Sequence, residues 1–183
     1  MILYLGPPSP LVQFLEENNA VLQSSDRLEL RDLEERRPDW AVSYGYRHMI
    51  RQPVLDWFRG RIINLHISLL PWNRGADPNL WSWIDGTPKG VTIHYVDAGV
   101  DTGDIIAQRE VLFSGNETLA ESYDILQTAL QQLFREQWHA IISGGASHHT
   151  QSPGGSFHRV ADRARVAHLL VAGWDTPVRA LSR

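Results

Sequence analysis

Cysteine is absent from this sequence of 183 residues, and lysine is almost absent. The lack of cysteine excludes disulfide bonds, thiol nucleophiles and thiolate metal sites together. Among the 17 basic residues, Lys89 is the one lysine, and it lies in a polar turn between a proline and a glycine. A lysine that forms a Schiff base is activated by an apolar pocket or a neighbouring cation, so this position disfavours such chemistry.

Familiar nucleotide and metal motifs are missing as well. The first apolar run is followed by GPPSP rather than GxGxxG, and prolines offer no N–H groups to a pyrophosphate. The sequence contains neither GxxxxGK(S/T) nor HExxH, and His148 and His149 lie in a loop rich in Gly and Ser. We therefore expect no dinucleotide site, no P-loop and no bound metal.

Charge and hydropathy limit the partners further. The formal net charge of −4 gives no basis for binding a polyanionic nucleic acid. The longest apolar runs are far too short for a bilayer, and residues 1–8 lack the basic and apolar regions of a signal peptide. We expect a soluble, cytoplasmic protein that binds neither nucleic acid nor membrane.

The remaining pattern predicts one α/β domain over residues 1–183, with a C-terminal loop and helical tail over 143–183. A content of 43% hydrophobic and 21% charged residues is typical of a globular chain. Short apolar runs predict strands, and apolar residues at helical spacing predict helices. The expected strands are 2–5, 20–22, 40–44, 62–67, 91–96 and 105–112, and the expected helices are 11–18, 33–37, 53–58, 80–84, 118–142 and 162–171.

Alternating strands and helices favour a Rossmann-like, mostly parallel, twisted sheet flanked by helices. Right-handed crossovers bring the carboxyl ends of the strands to one edge of the sheet. Open α/β sheets bind their ligands at that edge. The segments predicted to lie there are Gly6–Pro10, Tyr44–His48 and Asn64–Ser68.

Three polar residues near this edge form a set suited to acyl transfer. Asn64 and His66 point to the same face of a strand because side chains alternate with period two. Asp101 lies in a loop kept tight by Gly99 and Gly103. An amide can polarise a carbonyl, an imidazole can manage an amine's proton, and a carboxylate can support the imidazole. A structural Asn–His pair and an Asp that forms an Asx-turn fit the same spacing, so both interpretations stay open here.

Three blocks of this stretch resemble the 10-formyltetrahydrofolate-dependent formyltransferases. The blocks are NxHxSLLPxxRGA from Asn64, GVTxH from Gly90, and DxGxDxGDI from Asp97. The resemblance implies the formyltransferase fold and a catalytic set of Asn64, His66 and Asp101. It also implies attack of an unprotonated amine on the formyl carbon of N10-formyltetrahydrofolate, with no metal required. Whether His66 or Asp101 receives the amine proton stays open.

The resemblance also implies where the two substrates bind. Folate would contact two segments largely through backbone groups, and the acceptor would meet a basic and two aromatic side chains. Trp83 is a further stacking candidate and Arg47 a further diphosphate candidate, although core packing and ion pairing fit these side chains equally well. The folate segments comprise Ser43, Tyr44, Gly45, Tyr46, Arg47, His48, Met49, Val96, Asp97, Ala98, Gly99 and Val100, and the acceptor residues are Arg74, Trp72 and Trp81.

The acceptor is expected to be a small amine, with a nucleotide-linked amino sugar favoured. The glycine- and serine-rich phosphate loop of the glycinamide ribonucleotide enzymes has no counterpart in this sequence, and neither does the tRNA-binding barrel of the methionyl-tRNA enzymes. Residues 73–79, together with the tail stretches Gly155 to Asp162 and Gly173 to Val178, are most similar to the sugar-type members. Two alternatives stay open, a formyltetrahydrofolate hydrolase and a folate-binding module without turnover. The oligomeric state, a homodimer included, is not determined by these patterns.

Overall fold

The computed structural model describes residues 1–181 and consists of strands, α-helices and a tail of 3₁₀ turns. The sequence predicted the alternation of the first six elements, although the bounds differ by a few residues. The strands are β1 (Ile2–Leu5), β2 (Val21–Ser24), β3 (Trp40–Tyr44), β4 (Ile62–His66), β5 (Arg74–Gly75), β6 (Gly90–Tyr95), β7 (Ile105–Glu110) and β8 (Phe157–His158). The α-helices are α1 (Pro10–Glu16), α2 (Leu30–Arg36), α3 (Val54–Phe58), α4 (Pro78–Ile84) and α5 (Leu119–Ile142).

Six of these strands form a single sheet in the order β2-β1-β3-β4-β6-β7. Strands β2, β1, β3 and β4 are parallel, whereas β6 and β7 are each antiparallel to their neighbour. The predicted mostly parallel sheet is confirmed. Because β1, β3 and β4 are parallel, their carboxyl ends lie at one edge of the sheet, and open α/β sheets bind ligands outside that edge.

Helices cover both faces of the sheet. On one face α1 and α5 pack over the apolar side chains of β1, β3, β4 and β6. On the other face α2 and α3 cover a smaller group that includes Leu3, Leu5 and Ile62. The central strands are therefore buried on both sides, which explains why their sequences read as continuous apolar runs rather than as alternating ones.

The longest helix, α5, follows the prediction closely. The Thr118 hydroxyl accepts a hydrogen bond from the Glu121 amide at 3.2 Å, and the Glu121 carboxylate accepts one from the Thr118 amide at 2.8 Å. This reciprocal capping box fixes the start of the helix. The buried stripe of α5 then packs on the sheet through Leu126, Leu130 and Leu133.

The C-terminal segment differs from the predicted helix over 162–171. Residues Val160–Leu169 form a 3₁₀ helix, and none of them is buried. Val166 and Leu169 pack only partly against the apolar group around Leu80 and Leu119, which is too little burial to enforce an α-helical pitch. Before this helix, β8 pairs with β5 in a second, two-stranded sheet that the sequence did not predict. The tail thereby returns to the edge of the main sheet.

Lys89 is less exposed than its polar turn indicated. Its ammonium donates to the carbonyl oxygens of Ser82 at 3.1 Å and of Thr87 at 2.9 Å, and it lies 4.4 Å from the centre of the Trp83 ring. Burial lowers the pKa of Lys89. The one lysine thus joins α4 to the start of β6, and we assign it a structural role.

Candidate active site

Asn64 and His66 lie on the same face of β4, as period two requires, and β6 brings a second imidazole to them. Asn64 stands opposite His94 in the antiparallel register of β4 and β6. The Asn64 Nδ2 is 3.2 Å from the His94 Nε2, and the two histidine rings are edge to face with centres 6.3 Å apart. His66 is 7% exposed and His94 2%, so this polar group is held within the sheet.

Asp101 joins these side chains from the loop between β6 and β7. One carboxylate oxygen, Oδ1, lies 3.2 Å from Asn64 Nδ2 and 3.4 Å from His94 Nε2. The other oxygen, Oδ2, accepts a hydrogen bond from the Gly75 amide at 2.8 Å and lies 3.7 Å from His66 Nδ1. The three residues predicted as the catalytic set therefore meet, and His94 and the Gly75 amide complete the group.

The loop that carries Asp101 owes its shape to other residues. Asp97 forms the Asx-turn, since its carboxylate accepts from the Gly99 amide at 3.0 Å and from the Thr102 hydroxyl at 2.7 Å. Gly103 packs so closely on β6 that a Cβ there would lie 1.9 Å from the Tyr95 carbonyl oxygen. Asp101 itself has a φ of 53°, an uncommon conformation for a non-glycine residue. Its carboxylate is thus free of the turn and directed into the polar group.

Backbone carbonyls define the tautomers of both histidines. His66 Nε2 lies 3.0 Å from the Asn73 carbonyl oxygen, and His94 Nδ1 lies 2.7 Å from that of Tyr95. A carbonyl oxygen only accepts hydrogen bonds, so each of these nitrogens carries a proton. The nitrogens left for proton exchange are His66 Nδ1 and His94 Nε2, and both face Asp101.

The support behind His66 comes from a buried asparagine. Asn73 is fully buried and has a φ of 56°. Its side-chain oxygen accepts from the Thr87 hydroxyl at 2.6 Å, and its backbone N–H donates to the Ser156 hydroxyl at 2.9 Å. These bonds fix the peptide whose carbonyl orients the His66 ring.

The electrostatics of the group favour an ionised Asp101. Burial raises the pKa of this carboxyl, but the charge of His66, the hydrogen bond and charge of His94, and the hydrogen bond from Gly75 outweigh that effect. The pKa of Asp101 is consequently held well below its ordinary value of 3.8. The carboxylate therefore faces the two imidazole rings as an ionised hydrogen-bond acceptor.

A cavity of about 920 Å³ opens above this group. Asn64, His66, His94 and Asp101 all line it. Every residue that the sequence predicted for folate contributes to the lining except Ala98. The lining residues of that prediction are Ser43, Tyr44, Gly45, Tyr46, Arg47, His48, Met49, Val96, Asp97, Gly99 and Val100.

Tyr46 anchors the first of the two predicted folate segments. Its hydroxyl accepts from the Leu28 amide at 2.9 Å and donates to the Asp26 carbonyl at 2.7 Å. Ahead of it, the Tyr44 hydroxyl donates to Gln127 of α5 and accepts from Gln131 at 3.0 Å. The segment that follows β3 is therefore held from both faces of the sheet, which gives the cavity a rigid wall.

The residues predicted for the acceptor lie elsewhere. Within residues 1–181, Trp72, Arg74 and Trp81 are not part of the cavity lining. Trp81 is 5% exposed and stacks on His158, with ring centres 3.9 Å apart and planes 3° from parallel. Trp83 is packed in the apolar group beneath α5. Core packing, which fitted these indoles equally well at the outset, accounts for Trp83.

The comparisons with known proteins identify the family. The profile of the family described as Formyl transferase matches residues 6–137. The chain belongs to the formyl transferase family.

Several formyltransferases resemble this chain over different lengths. The crystal structure of the formyltransferase PseJ from Anoxybacillus kamchatkensis, in complex with UDP-4,6-dideoxy-4-formamido-L-AltNAc and tetrahydrofolate, has a TM-score of 0.94 and 44% identity, and the match covers 99% of this chain and 97% of that one. An N-formyltransferase from Helicobacter canadensis, crystallised with folinic acid and dTDP-3-aminofucose, shares the fold with a TM-score of 0.72 at 18% identity, covering 88% of this chain and 71% of that one.

Relatives found by sequence include methionyl-tRNA formyltransferases. The protein of that name from Acetivibrio thermocellus is 34% identical over 132 residues, which is 69% of this chain and 42% of the relative. This formyl transferase chain thus spans less than half the length of that relative.

The sequence patterns did not reveal every residue of the site. His94 belongs to the block that starts at Gly90, but no role was assigned to it from the sequence. Two signals were available: its place in that motif, and its position on the same face of the strand as Thr92. The C-terminal contributions were also missed, because the pairing of β8 with β5 that brings the tail to the cavity has no local sequence signal. They comprise Phe157, His158, Arg159, Val160, Arg163 and Trp174, and α5 adds Tyr123 and Gln127.

Proposed function

We propose that this chain transfers a formyl group from N10-formyltetrahydrofolate to the primary amine of a nucleotide-linked amino sugar. One observation carries the proposal: Asn64, His66 and Asp101 meet at the base of a cavity that also collects both predicted folate segments and a cationic tail. The match to a sugar-nucleotide formyltransferase over 99% of the chain supports the choice of acceptor.

The cavity has the properties that a folate requires. A volume of about 920 Å³ lies at the upper end of the usual range for ligand pockets, which suits two substrates side by side. Apolar side chains that can flank a planar ring include Met49, Leu65, Val96 and Val100. Gly45 and Gly99 leave backbone groups accessible next to them. We propose that residues 43–49 and 96–100 hold the pterin and its linker.

Each polar side chain then has a defined task. The bound folate supplies an activated formyl group, and the Asn64 Nδ2 donates a hydrogen bond where negative charge develops on the carbonyl oxygen. His66 is neutral when the amine attacks, with its proton on Nε2 and its Nδ1 free. His66 Nδ1 takes the proton that the attacking amine loses and gives it up to the donor nitrogen that leaves, while Asp101 stabilises the transient imidazolium. The Asn73 carbonyl keeps that nitrogen, rather than Nε2, available for exchange.

The acceptor side of the cavity is cationic and aromatic. Arg159 and Arg163 line it from the tail, and Arg163 lies 3.6 Å from Asp77. Guanidinium groups bind phosphate oxygens in a bidentate manner, which fits a diphosphate. Phe157 and Trp174 are each 46% exposed and line the same wall, where aromatic rings can stack on a base. We therefore propose these four residues as the acceptor contacts.

Trp81 remains part of the proposal in a reduced role. Its indole Nε1 is buried and has no hydrogen-bond partner within residues 1–181. An unsatisfied buried donor costs stability. Because Trp81 stacks on the cavity residue His158, we propose that it supports the acceptor wall. Trp72 and Arg74, which lie off the cavity, are not retained as acceptor contacts.

An acceptor screen tests this function. Purified protein with N10-formyltetrahydrofolate is offered nucleotide-linked 4-amino and 3-amino sugars, glycinamide ribonucleotide and methionyl-tRNA, and products are read by the mass of one added CO. We expect formylation of an amino-sugar nucleotide and of neither other class. Faster formylation of methionyl-tRNA would overturn the acceptor assignment, and formate release that needs no amine would identify a hydrolase. Tight folate binding without any product would identify a binding module.

A further inference from the structure

Strand β5 directs its amides to two different partners. The amides of Arg74 and Ala76 donate to the tail, at 3.0 Å to the Ser156 carbonyl and at 2.9 Å to that of His158. The amide between them, that of Gly75, points the other way and donates to Asp101 Oδ2 at 2.8 Å. The catalytic carboxylate is thus fixed on a strand that the tail holds from its opposite side.

Gln151 joins the Asp101 loop to this strand with its side chain. The amide nitrogen Nε2 donates to the backbone carbonyl of Asp101 at 2.8 Å and to that of Gly103 at 2.9 Å. The amide oxygen Oε1 accepts from Arg74 Nε at 3.2 Å and from Arg74 Nη2 at 3.0 Å. A carboxamide has two donor hydrogens and two acceptor lone pairs, so all four positions are used.

The tail is docked independently of this side chain. On one side of Gln151, His149 exchanges backbone hydrogen bonds with Ile105 at 2.8 and 3.0 Å. On the other side, β8 pairs with β5. The Gln151 carboxamide is therefore not needed to bring the tail to the sheet. What it determines is the separation between the Asp101 loop and the Arg74–Gly75 strand, across which the Gly75 amide reaches Asp101.

We propose that Gln151 is a positioning residue that sets the distance and angle of the Asp101 carboxylate relative to His66 and the Gly75 amide. The expected loss of turnover rests on the proposed function, whereas the placement of the Asp101 carboxylate does not. Small displacements of a catalytic group cost large factors in rate, about a hundredfold for 1 Å. Gln151 contacts Asp101 and Gly103 but none of residues 96–100, so we expect turnover to change more than the Michaelis constants.

Two substitutions distinguish the effect of the Gln151 hydrogen bonds from the effect of its side-chain volume. Gln151→Glu keeps the shape and the acceptor toward Arg74 but places an oxygen against the two backbone carbonyls. Gln151→Met keeps the length and removes all four hydrogen bonds. Gln132→Glu is the matched control, since Gln132 is exposed on α5 and the charge change is the same. Because the tail stays docked, we expect melting temperatures within about 3 °C of the wild type.

Two readouts decide the proposal. We expect kcat to fall about tenfold to a hundredfold in both Gln151 variants, with the Michaelis constants of donor and acceptor within about threefold. Amide-resolved NMR hydrogen exchange should show faster exchange at Gly75 in both variants and no change in Gln132→Glu. Unchanged Gly75 exchange in both variants, or full retention of kcat in both, would overturn the proposal.

The exchange measurement also separates this proposal from the function itself. If the wild type formylates no acceptor, the proposed function fails, and Gly75 exchange in the unliganded protein still reports whether Gln151 holds the Asp101 contact. If the wild type is active and Gly75 exchange is unaffected by both substitutions, the function stands and the role of Gln151 is refuted. Equal losses of kcat and of folded fraction would likewise refute positioning, because they indicate a merely structural role.

Discussion

Asn64 and His94 face each other across the antiparallel pair of β4 and β6, with the carboxamide nitrogen 3.2 Å from the imidazole Nε2. Because the Tyr95 carbonyl holds the proton on Nδ1, the neutral His94 ring presents an acceptor to Asn64. This contact orients the Asn64 amide, so that its N–H groups rather than its oxygen face the polar group. Asp101 and His94 thereby each occupy one N–H of Asn64, and the N–H shared with His94 is the one that we expect to turn to the formyl oxygen.

The first prediction follows from this orientation. Replacing Asn64 with alanine should lower kcat roughly a hundredfold or more, because the donor to the developing charge is lost. Replacing His94 with alanine should lower kcat by at least about tenfold, because Asn64 is no longer oriented and Asp101 loses a partner. Steady-state rates and circular dichroism measure both. His148→Ala is the control, since His148 is exposed and pairs with Asp104 at 3.0 Å. A His94→Ala enzyme with the wild-type kcat would contradict the assigned orientation.

The second prediction concerns the charge of Asp101. Asp101→Asn keeps the shape of the side chain and removes the charge that stabilises the imidazolium formed on His66 during transfer, so kcat should fall at least about a hundredfold. The stability of the wild type also depends on this charge. Its pKa is lowered in the folded protein, so ionised Asp101 contributes stability above its ordinary pKa of 3.8, and this contribution is lost as the pH falls below it.

Thermal unfolding at several pH values checks the direction in which the stability contributed by Asp101 changes with pH. The melting temperature of the wild type minus that of Asp101→Asn should decrease between about pH 5 and about pH 3. A difference that grows over this range would show that the folded-state pKa of Asp101 is raised rather than lowered. Full activity in the variant, with the folded fraction unchanged, would remove Asp101 from the catalytic set.

The third prediction tests how closely the tail approaches β5. Gly75 has a φ of 87°, and a Cβ there would lie 2.3 Å from the His158 carbonyl oxygen and 2.9 Å from the Phe157 ring. Gly75→Ala should therefore both strain the backbone and push β8 away, lowering the melting temperature and kcat together. Gly144→Ala is a matched control, because Gly144 has a φ of 73° but nothing within 4 Å of the added Cβ. Equal effects of the two substitutions would show that only backbone strain matters at position 75.

The fourth prediction separates the acceptor side from the donor side. Arg159→Ala and Arg163→Ala should each raise the Michaelis constant of the nucleotide-linked amino sugar about tenfold or more, because a charge-assisted contact to phosphate is lost. The Michaelis constant of the folate donor should stay unchanged. Arg165→Ala is the control, since its side chain is 79% exposed and pairs with Asp162. A rise in the folate constant alone would place these arginines on the donor side.

Local patterns in the sequence predicted most of the strands and helices and the three site residues Asn64, His66 and Asp101. They did not predict His94 or the residues of the tail that line the cavity. The shared face of Asn64 and His66 followed from strand periodicity alone, and the extent of α5 followed from its apolar stripe and the cap at Thr118. The register of Asn64 with His94 did not follow, since apolar composition does not reveal that β6 runs antiparallel to β4. Direction depends on the connection through α4 and on packing that only the tertiary structure provides.

The position of the C-terminal tail could not be predicted from local sequence patterns, for a different reason. A strand of two residues, such as β5 or β8, is too short to show any period. Its pairing depends on Gly75 and Gly155, where the chain passes so close to another backbone that a side chain would not fit: a Cβ at Gly155 would lie 2.0 Å from the Pro71 carbonyl oxygen. These contacts are between residues about 80 positions apart, so the acceptor wall and Gln151 could be found only from the structure.

The scarcity of lysine has a consequence for the proposed transfer of a formyl group to an amine. Every lysine on such an enzyme's own surface is a competing nucleophile that can capture the activated group and change the charge of the catalyst. Here there is one lysine, and its ammonium is hydrogen-bonded to two carbonyls and packed over an indole. The side chains of this protein therefore offer almost no target for self-formylation, and arginine supplies its positive charge in a form that does not react.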